Sequence, residues 1–235
     1  LIDLPGTYGL NTQSIDQSIV FDLLLNKNNK DFPDVVVVVA DVENLKRNLL
    51  LFSQIKDLEI PTILAINMSD QLKSKGIEIN VDKLEKELDT KVVLLSARKN
   101  KGFEILKSEI KNYRNLSEKP AFDINEIDPE YFTNLQKTFS GQSVYKLWLL
   151  ITQDINFSKL ERNKIDDKGR FKTQTESYLK KLQQRETIKR YQIINNLLKE
   201  TYVKDDKKAT GLRSVIDRVL LHSVWGYLIF FSILL

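Results

Sequence analysis

The sequence predicts an α/β fold, a parallel sheet flanked by helices, followed by an all-helical region. Residues 35–40, 62–67 and 91–97 are short runs of β-branched and other apolar residues, and the stretches between them space their apolar residues as helices do. Strands alternating with amphipathic helices build a parallel sheet with helices on its faces. Near residue 116 the pattern changes: the β-branched runs stop, Pro120 and Pro129 break the chain, and polar segments with helical apolar spacing take over.

Taken in order, Leu1-Ile2-Asp3 reads as the tail of a strand. Residues 35–40, five valines and an alanine, read as a strand buried on both faces. Over 43–58, Leu45, Leu49, Phe52 and Ile55 fall at helical spacing, and 62–67 repeats the buried-strand type. A shorter helix is expected over 81–88, a strand over 91–97 and a helix over 102–113. Beyond residue 116 helices are expected over 130–139 and 143–153, with a long basic one over 173–199 and a short one near Phe157. The resulting division is 1–115 for the α/β part, 116–208 for a helical domain and 209–235 for a membrane-proximal segment.

The 235 residues carry a net charge of +4 and no cysteine, which excludes disulfides and thiolate metal sites. Between residues 155 and 209 there are fifteen Lys and Arg against eight Asp and Glu. Such an excess suits phosphate-rich partners, nucleic acid or an anionic membrane leaflet, and equally a solvated helical face. Residues 219–235 contain no Asp, Glu, Lys or Arg. Spanning a bilayer takes about 20 apolar residues as a helix. The run from Trp225 onward has no polar face and reads as the start of a transmembrane helix. Arg213 and Arg218 mark the side before it as cytoplasmic. The absence of an initiator Met, with the apolar end, makes both termini read as cuts.

Three short motifs carry the chemistry, each directly behind an expected strand: Asp3-Leu4-Pro5-Gly6, Asn67-Met68-Ser69-Asp70 and Ser96-Ala97-Arg98. Ligands of open parallel sheets bind at the carboxyl ends of strands, so the three are expected to meet in one crevice. Asp3 suits Mg²⁺ through a water, because that ion keeps part of its hydration shell and prefers carboxylate oxygen. Gly6 leaves its N–H open to a terminal phosphate. Asp70 can accept from the N1–H and exocyclic amine of guanine, a donor pair adenine lacks. Asn67 braces the loop, and the Ala97 N–H is placed for the guanine carbonyl oxygen. Singly each tetrapeptide is ordinary turn chemistry. Together and in order they point to a GTP site.

Asp3-Leu-Pro-Gly-Thr-Tyr-Gly-Leu10, the run from Ala40 to Leu49 and Asn67-Met-Ser-Asp70 resemble the G-domain segments of the ferrous iron transport protein B family. The run from Ile216 to Gly226 is similar to that family's entry into its first membrane helix, and Arg190-Tyr191 resembles part of its helical insert. The resemblance implies a Ras-like P-loop GTPase sandwich, here without its N-terminal strands and phosphate loop, then an affinity-modulating helical domain. It implies GTP/GDP and Mg²⁺ as ligands, and a membrane domain outside this sequence that moves Fe²⁺. It places the chain at the bacterial inner membrane, as the cytoplasmic region of a multi-pass protein contacting the bilayer through its C-terminal helix. Nucleic acid is not an implied partner, and a homo-oligomer stays open. Asp3 carries over as the Mg²⁺-linked residue, and Leu4, Pro5 and Gly6 as the γ-phosphate loop. Asn67, Met68 and Asp70 carry over as guanine readers, Ser96, Ala97 and Arg98 as the base-side loop, and residues 7–21 as the second switch.

The sequence departs from the Ras-like pattern at Thr7 and Tyr8, where a catalytic Gln would stand, so slow hydrolysis is expected and no catalytic side chain is assigned. Met68 replaces a common Lys, and its thioether can still pack on the base. Ser14 to Gln17 reads as a capping box. Asp41, Asn44 and Arg47 read as capping residues or as nucleotide sensors. Lys180, Lys181, Lys189 and Arg190 read as a solvated face, with a lipid or subunit contact second. His222, the lone histidine, reads as interfacial packing. The competing readings are a translation-factor-like GTPase acting on RNA, which the apolar end disfavours, and a non-hydrolysing membrane-anchored module.

Overall fold

The computed structural model describes residues 1–7, 9–10, 19–20, 23–27, 29–157, 174–205, 208–210, 220 and 227. Three apolar runs pair side by side as parallel strands: β1 (Val36–Asp41), β2 (Thr62–Asn67) and β4 (Val92–Leu94), in the order β1-β2-β4. The register sets Val36 opposite Thr62 and Asp41 opposite Asn67, so the carboxyl ends of β1 and β2 are level. Between and after them run α1 (Leu45–Lys56), β3 (Ile77–Ile79), α2 (Val81–Leu88), α3 (Phe103–Lys111), α4 (Pro129–Thr138), α5 (Val144–Phe157), α6 (Glu176–Thr201) and β5 (Tyr202–Lys204).

Local chemistry fixes the ends of several helices. Asn80 caps α2 by accepting from the Lys83 N–H, and Asp128 caps α4 by accepting from the Tyr131 N–H, with Pro129 opening the helix. α3 starts at Gly102, whose φ of +83° and closeness to the Leu94 carbonyl leave no room for a Cβ. On one face of the sheet Val38, Ala40, Leu64 and Ile66 join Leu45, Leu49 and Phe52 of α1 in a buried cluster. That cluster continues without a break into Phe132, Trp148, Leu179, Leu182 and Ile194. On the other face Ile63, Ala65, Val93 and Leu95 are covered by Leu106 and Ile110 of α3. Helix, sheet and helix thus form three layers, with α4 to α6 extending the first.

The structure corrects four expectations. Leu1 to Asp3 form no strand: Leu1, Ile2 and Asp3 are exposed, and among the described residues none of them pairs with β1. β1 is not buried on both faces. Val38 and Ala40 point into the core while Val39 is 60% exposed, because α3 covers β2 and β4 and stops short of it. Phe157 starts no separate helix; it is the last residue of α5. Arg190 lies on no solvated face but is fully buried: it follows Glu186 by one turn on the side of α6 that carries Leu179, Leu182 and Ile194.

β3 and β5 pair antiparallel, Ile77 opposite Lys204 and Ile79 opposite Tyr202. Asn80 N–H donates to Thr201 O at 2.8 Å, so the end of α6 is tied to the turn entering α2. Strands of three residues are too short to show a period, and neither was anticipated. Among the described residues no helix is long and apolar enough to cross a membrane. The expected transmembrane start, with Arg213, Arg218 and His222, lies outside the described residues, as do Tyr8, Phe21 and most of the expected switch and the capping box of Ser14 to Gln17.

Candidate functional site

The loops after β2 and β4 meet at the carboxyl end of the sheet. The backbone turns sharply at Met68, which sits in the left-handed region at φ 64°, and Ser69–Gln71 follows as one 3-10 turn. Ser69 N–H donates to Leu95 O at 2.8 Å, fixing one loop to the other strand's exit. Ser96 is buried, and its backbone N–H and C=O both bond Lys101, closing the 96–101 loop on itself.

Side chains then join the two loops. Ser96 Oγ donates to Asp70 Oδ1 at 2.7 Å, and Arg98 Nη2 reaches Asp70 Oδ2 at 2.8 Å. The Ala97 N–H donates to Asn67 Oδ1 at 3.0 Å. The Ser96 hydroxyl, with the Arg98 charge behind it, holds the Asp70 carboxyl below the usual carboxylate range. Asp70 therefore stays an anionic double acceptor, each of whose oxygens can take a second donor. A ligand edge with two adjacent N–H groups matches it.

Asp3 to Gly6 stand apart from this constellation. Asp3, Pro5 and Gly6 are exposed, Leu4 packs against the main core, and nothing lies within 4 Å of where a Gly6 Cβ would be. Thr7 Oγ1 donates to Gly9 O at 2.8 Å, a local turn, and among the described residues no hydrogen bond or ion pair joins Asp3 or Gly6 to the base-side loops. No group of three or more His, Cys, Asp or Glu gathers to hold a metal among the described residues. At the end of β1, Asp41 Oδ1 accepts from the Glu43 N–H and Oδ2 from the Asn44 amide, while Asn48 Oδ1 accepts from the Asp41 N–H. These bonds make Asp41 and Asn44 part of the entry to α1.

Sequence reasoning missed a buried polar cluster between α1 and α6. Arg190 Nη2 lies 2.6 Å from Asp57 Oδ2, its Nε donates to Glu186 Oε1 at 2.8 Å and its Nη1 donates to Ser53 Oγ at 3.1 Å. Its guanidinium lies within 5 Å of the ring centres of Phe122 (4.9 Å) and Tyr145 (4.8 Å), and Trp148 Nε1 donates to Glu186 Oε2 at 2.7 Å. Asp57 Oδ1 accepts from the N–H groups of Ala121 and Phe122. Beside it, Gln54 Oε1 accepts from the Leu10 N–H at 2.8 Å. The available signal was Glu186 and Arg190 interrupting an apolar helical face at a spacing of one turn.

A helix–sheet–helix sandwich whose strand exits join Asp70 to Ser96 and Asn67 to the Ala97 N–H has the fold of a Ras-like GTPase domain. Residues 1–110 match the sequence profile described as "Ferrous iron transport protein B". The whole chain aligns with "Fe(2+) transporter FeoB" of Leptospira biflexa at 27% identity, covering 35% of that protein. It aligns likewise with the same-named protein of Staphylococcus aureus strain MSSA476 at 29%, covering 36%. The chain spans about a third of the length of these curated relatives. The cytosolic domain of T. maritima FeoB in its GMPPNP form superposes with a TM-score of 0.72 at 26% identity, over 86% of this chain and 79% of that one. The cytosolic domain of L. pneumophila FeoB gives 0.66 at 27%, over 86% and 79%.

Proposed function

We propose that this chain is the guanine-nucleotide-binding, GTP-hydrolysing cytoplasmic portion of a bacterial ferrous iron transporter, its nucleotide cycle regulating Fe²⁺ passage through a membrane domain. The observation that carries the reading is the joined pair of loops in which Asp70 is braced by Ser96, and Asn67 by the Ala97 N–H. In this reading Asp70 reads the N1–H and amine of guanine, Met68 packs on the base and the Ala97 N–H turns to the base carbonyl oxygen. Gly6, with open space around its Cα, admits the γ-phosphate beside Leu4 and Pro5. Asp3 as a single exposed carboxylate fits Mg²⁺ held mainly by phosphate oxygens and water, the usual way that ion is bound. Residues 116–208 act as a helical domain modulating nucleotide affinity, and 209–235 lead into the bilayer.

The test is binding of a fluorescent GDP analogue to the full-length protein, with GTP and ATP as competitors, in wild type and Asp70→Ala. GTP but not ATP should compete, and the substitution should weaken binding about tenfold or more, the loss expected when two buried donors lose their acceptor. Competition by ATP equal to that by GTP, or no saturable binding in wild type, would sink the proposal.

A further inference from the structure

We propose that Gln54 is a positioning residue of the hydrolytic site. It docks the backbone of Leu10, four residues past Gly6, onto the last turn of α1 and so sets where Gly6 and Thr7 stand against the terminal phosphate. The proposal rests on the GTPase reading above and assigns a residue outside its motifs.

A glutamine only 2% exposed, facing the core side of a helix, needs a reason to be there. Its Oε1 takes up the Leu10 N–H at 2.8 Å, and Leu10 itself is buried in the main core. Gly9 lies so close that an added Cβ would stand 3.2 Å from Gln54 Oε1. Among the described residues between Gly6 and Leu10 the other polar tie is the Thr7 to Gly9 turn, and Leu10 is where the segment is bonded to α1. Thr7 and Tyr8, not a glutamine, directly follow Gly6, and Gln54 supplies an amide from a different element.

The platform under Gln54 is rigid. Ser53 receives Arg190 Nη1, Asp57 pairs with Arg190 and takes two backbone N–H groups, and Lys56 Nζ donates to the carbonyls of Asp89 at 2.8 Å and Ser117 at 3.1 Å. Ser53, Lys56 and Asp57 around Gln54 are thus anchored to other parts of the fold. Positioning groups need this kind of support, because a shift of about 1 Å at a reacting centre costs on the order of 100-fold in rate. The same platform carries Arg190, so movement of the Leu10 segment has a direct mechanical route to α6.

GTP turnover and GDP binding should be measured on the full-length protein as wild type, Gln54→Leu and Gln54→Glu. GDP lacks the phosphate that Gly6 meets, so Gln54→Leu should lower kcat about tenfold or more while the Kd for GDP stays within about twofold. Gln54→Glu keeps an acceptor oxygen and should recover most of the lost kcat. An unchanged kcat, or equal weakening of GDP and a non-hydrolysable GTP analogue, would show a merely structural hydrogen bond and overturn the assignment. Should Gln54→Leu fail to bind GDP, hydrogen exchange of the Leu10 amide in wild type decides. Protection that differs between the GDP and GTP-analogue forms supports positioning, and identical protection overturns it. Absence of any guanine binding in wild type would instead count against the GTPase reading itself.

Discussion

Two aspartate–arginine pairs stand at nearly the same distance in this molecule, Asp57–Arg190 at 2.6 Å and Asp70–Arg98 at 2.8 Å. In the first both side chains are 1% exposed; in the second Asp70 is 5% exposed and Arg98 77%. Burial pushes the Asp57 carboxyl up against the pull of Arg190, whereas Ser96 and then Arg98 hold Asp70 down. Distance alone would rank the pairs as equals. Burial separates them: a desolvated charge depends wholly on its partners, while a solvated one can release its partner to a ligand at little cost. The inner pair therefore joins α1 to α6, and the outer pair stands where a guanine base is proposed to bind.

The largest effect that would sharpen this contrast is Arg190→Ala. It leaves Asp57 and Glu186 buried without their cation and should destabilise the fold by about 3–5 kcal/mol, read from denaturant unfolding. A loss below about 1 kcal/mol would mean water reaches the cluster, and the inner pair would then resemble the outer one. Next comes Trp148→Phe, which keeps the aromatic packing on Phe132 and removes the donor to Glu186 Oε2. The expected cost is about 1–3 kcal/mol, as for a buried acceptor on a charged group left short of a partner.

Smaller still is the response at the outer pair. Arg98→Ala should leave the unfolding midpoint unchanged, since solvent already screens that charge; a clear drop in the midpoint would erase the distinction between the pairs. The smallest signal is a titration. The folded pKa of Asp70 lies below its ordinary value of 3.8, so the stability that its charge contributes is present above the unfolded pKa and is lost as pH falls through the folded one. The Asp70 carboxyl carbon resonance should accordingly titrate below the ordinary range, and Ser96→Ala should move it up. A wild-type midpoint at or above 3.8 would remove Ser96 as the cause.

Much of this was legible in the residues themselves. Residues 62–67 and 81–88 take the elements their patterns predict, because an apolar run bounded by Pro61 and Asn67 and a stretch capped by Asn80 are decided locally. The order of Asn67, Asp70 and Ser96 behind apolar runs was enough to bring them together, since parallel strands place their exits on one edge. The two-sided burial read into 35–40 failed at Val39, because coverage of a sheet face depends on where a distant helix lands. Arg190 was misread for a related reason: a charged residue next to Lys189 looks solvated until Asp57, from another part of the chain, is seen to meet it.

By itself, then, the sequence determined the alternation of strands and helices, the helix caps and the chemical types at the strand ends, all of which act within a few residues of one another. Tertiary structure alone decided which arginine is buried, that Gln54 holds Leu10, and that β5 returns from α6 to pair with β3. Each of these joins residues more than forty positions apart. Such pairings rest on the packing of whole elements, a sum over many weak contacts that no local pattern encodes.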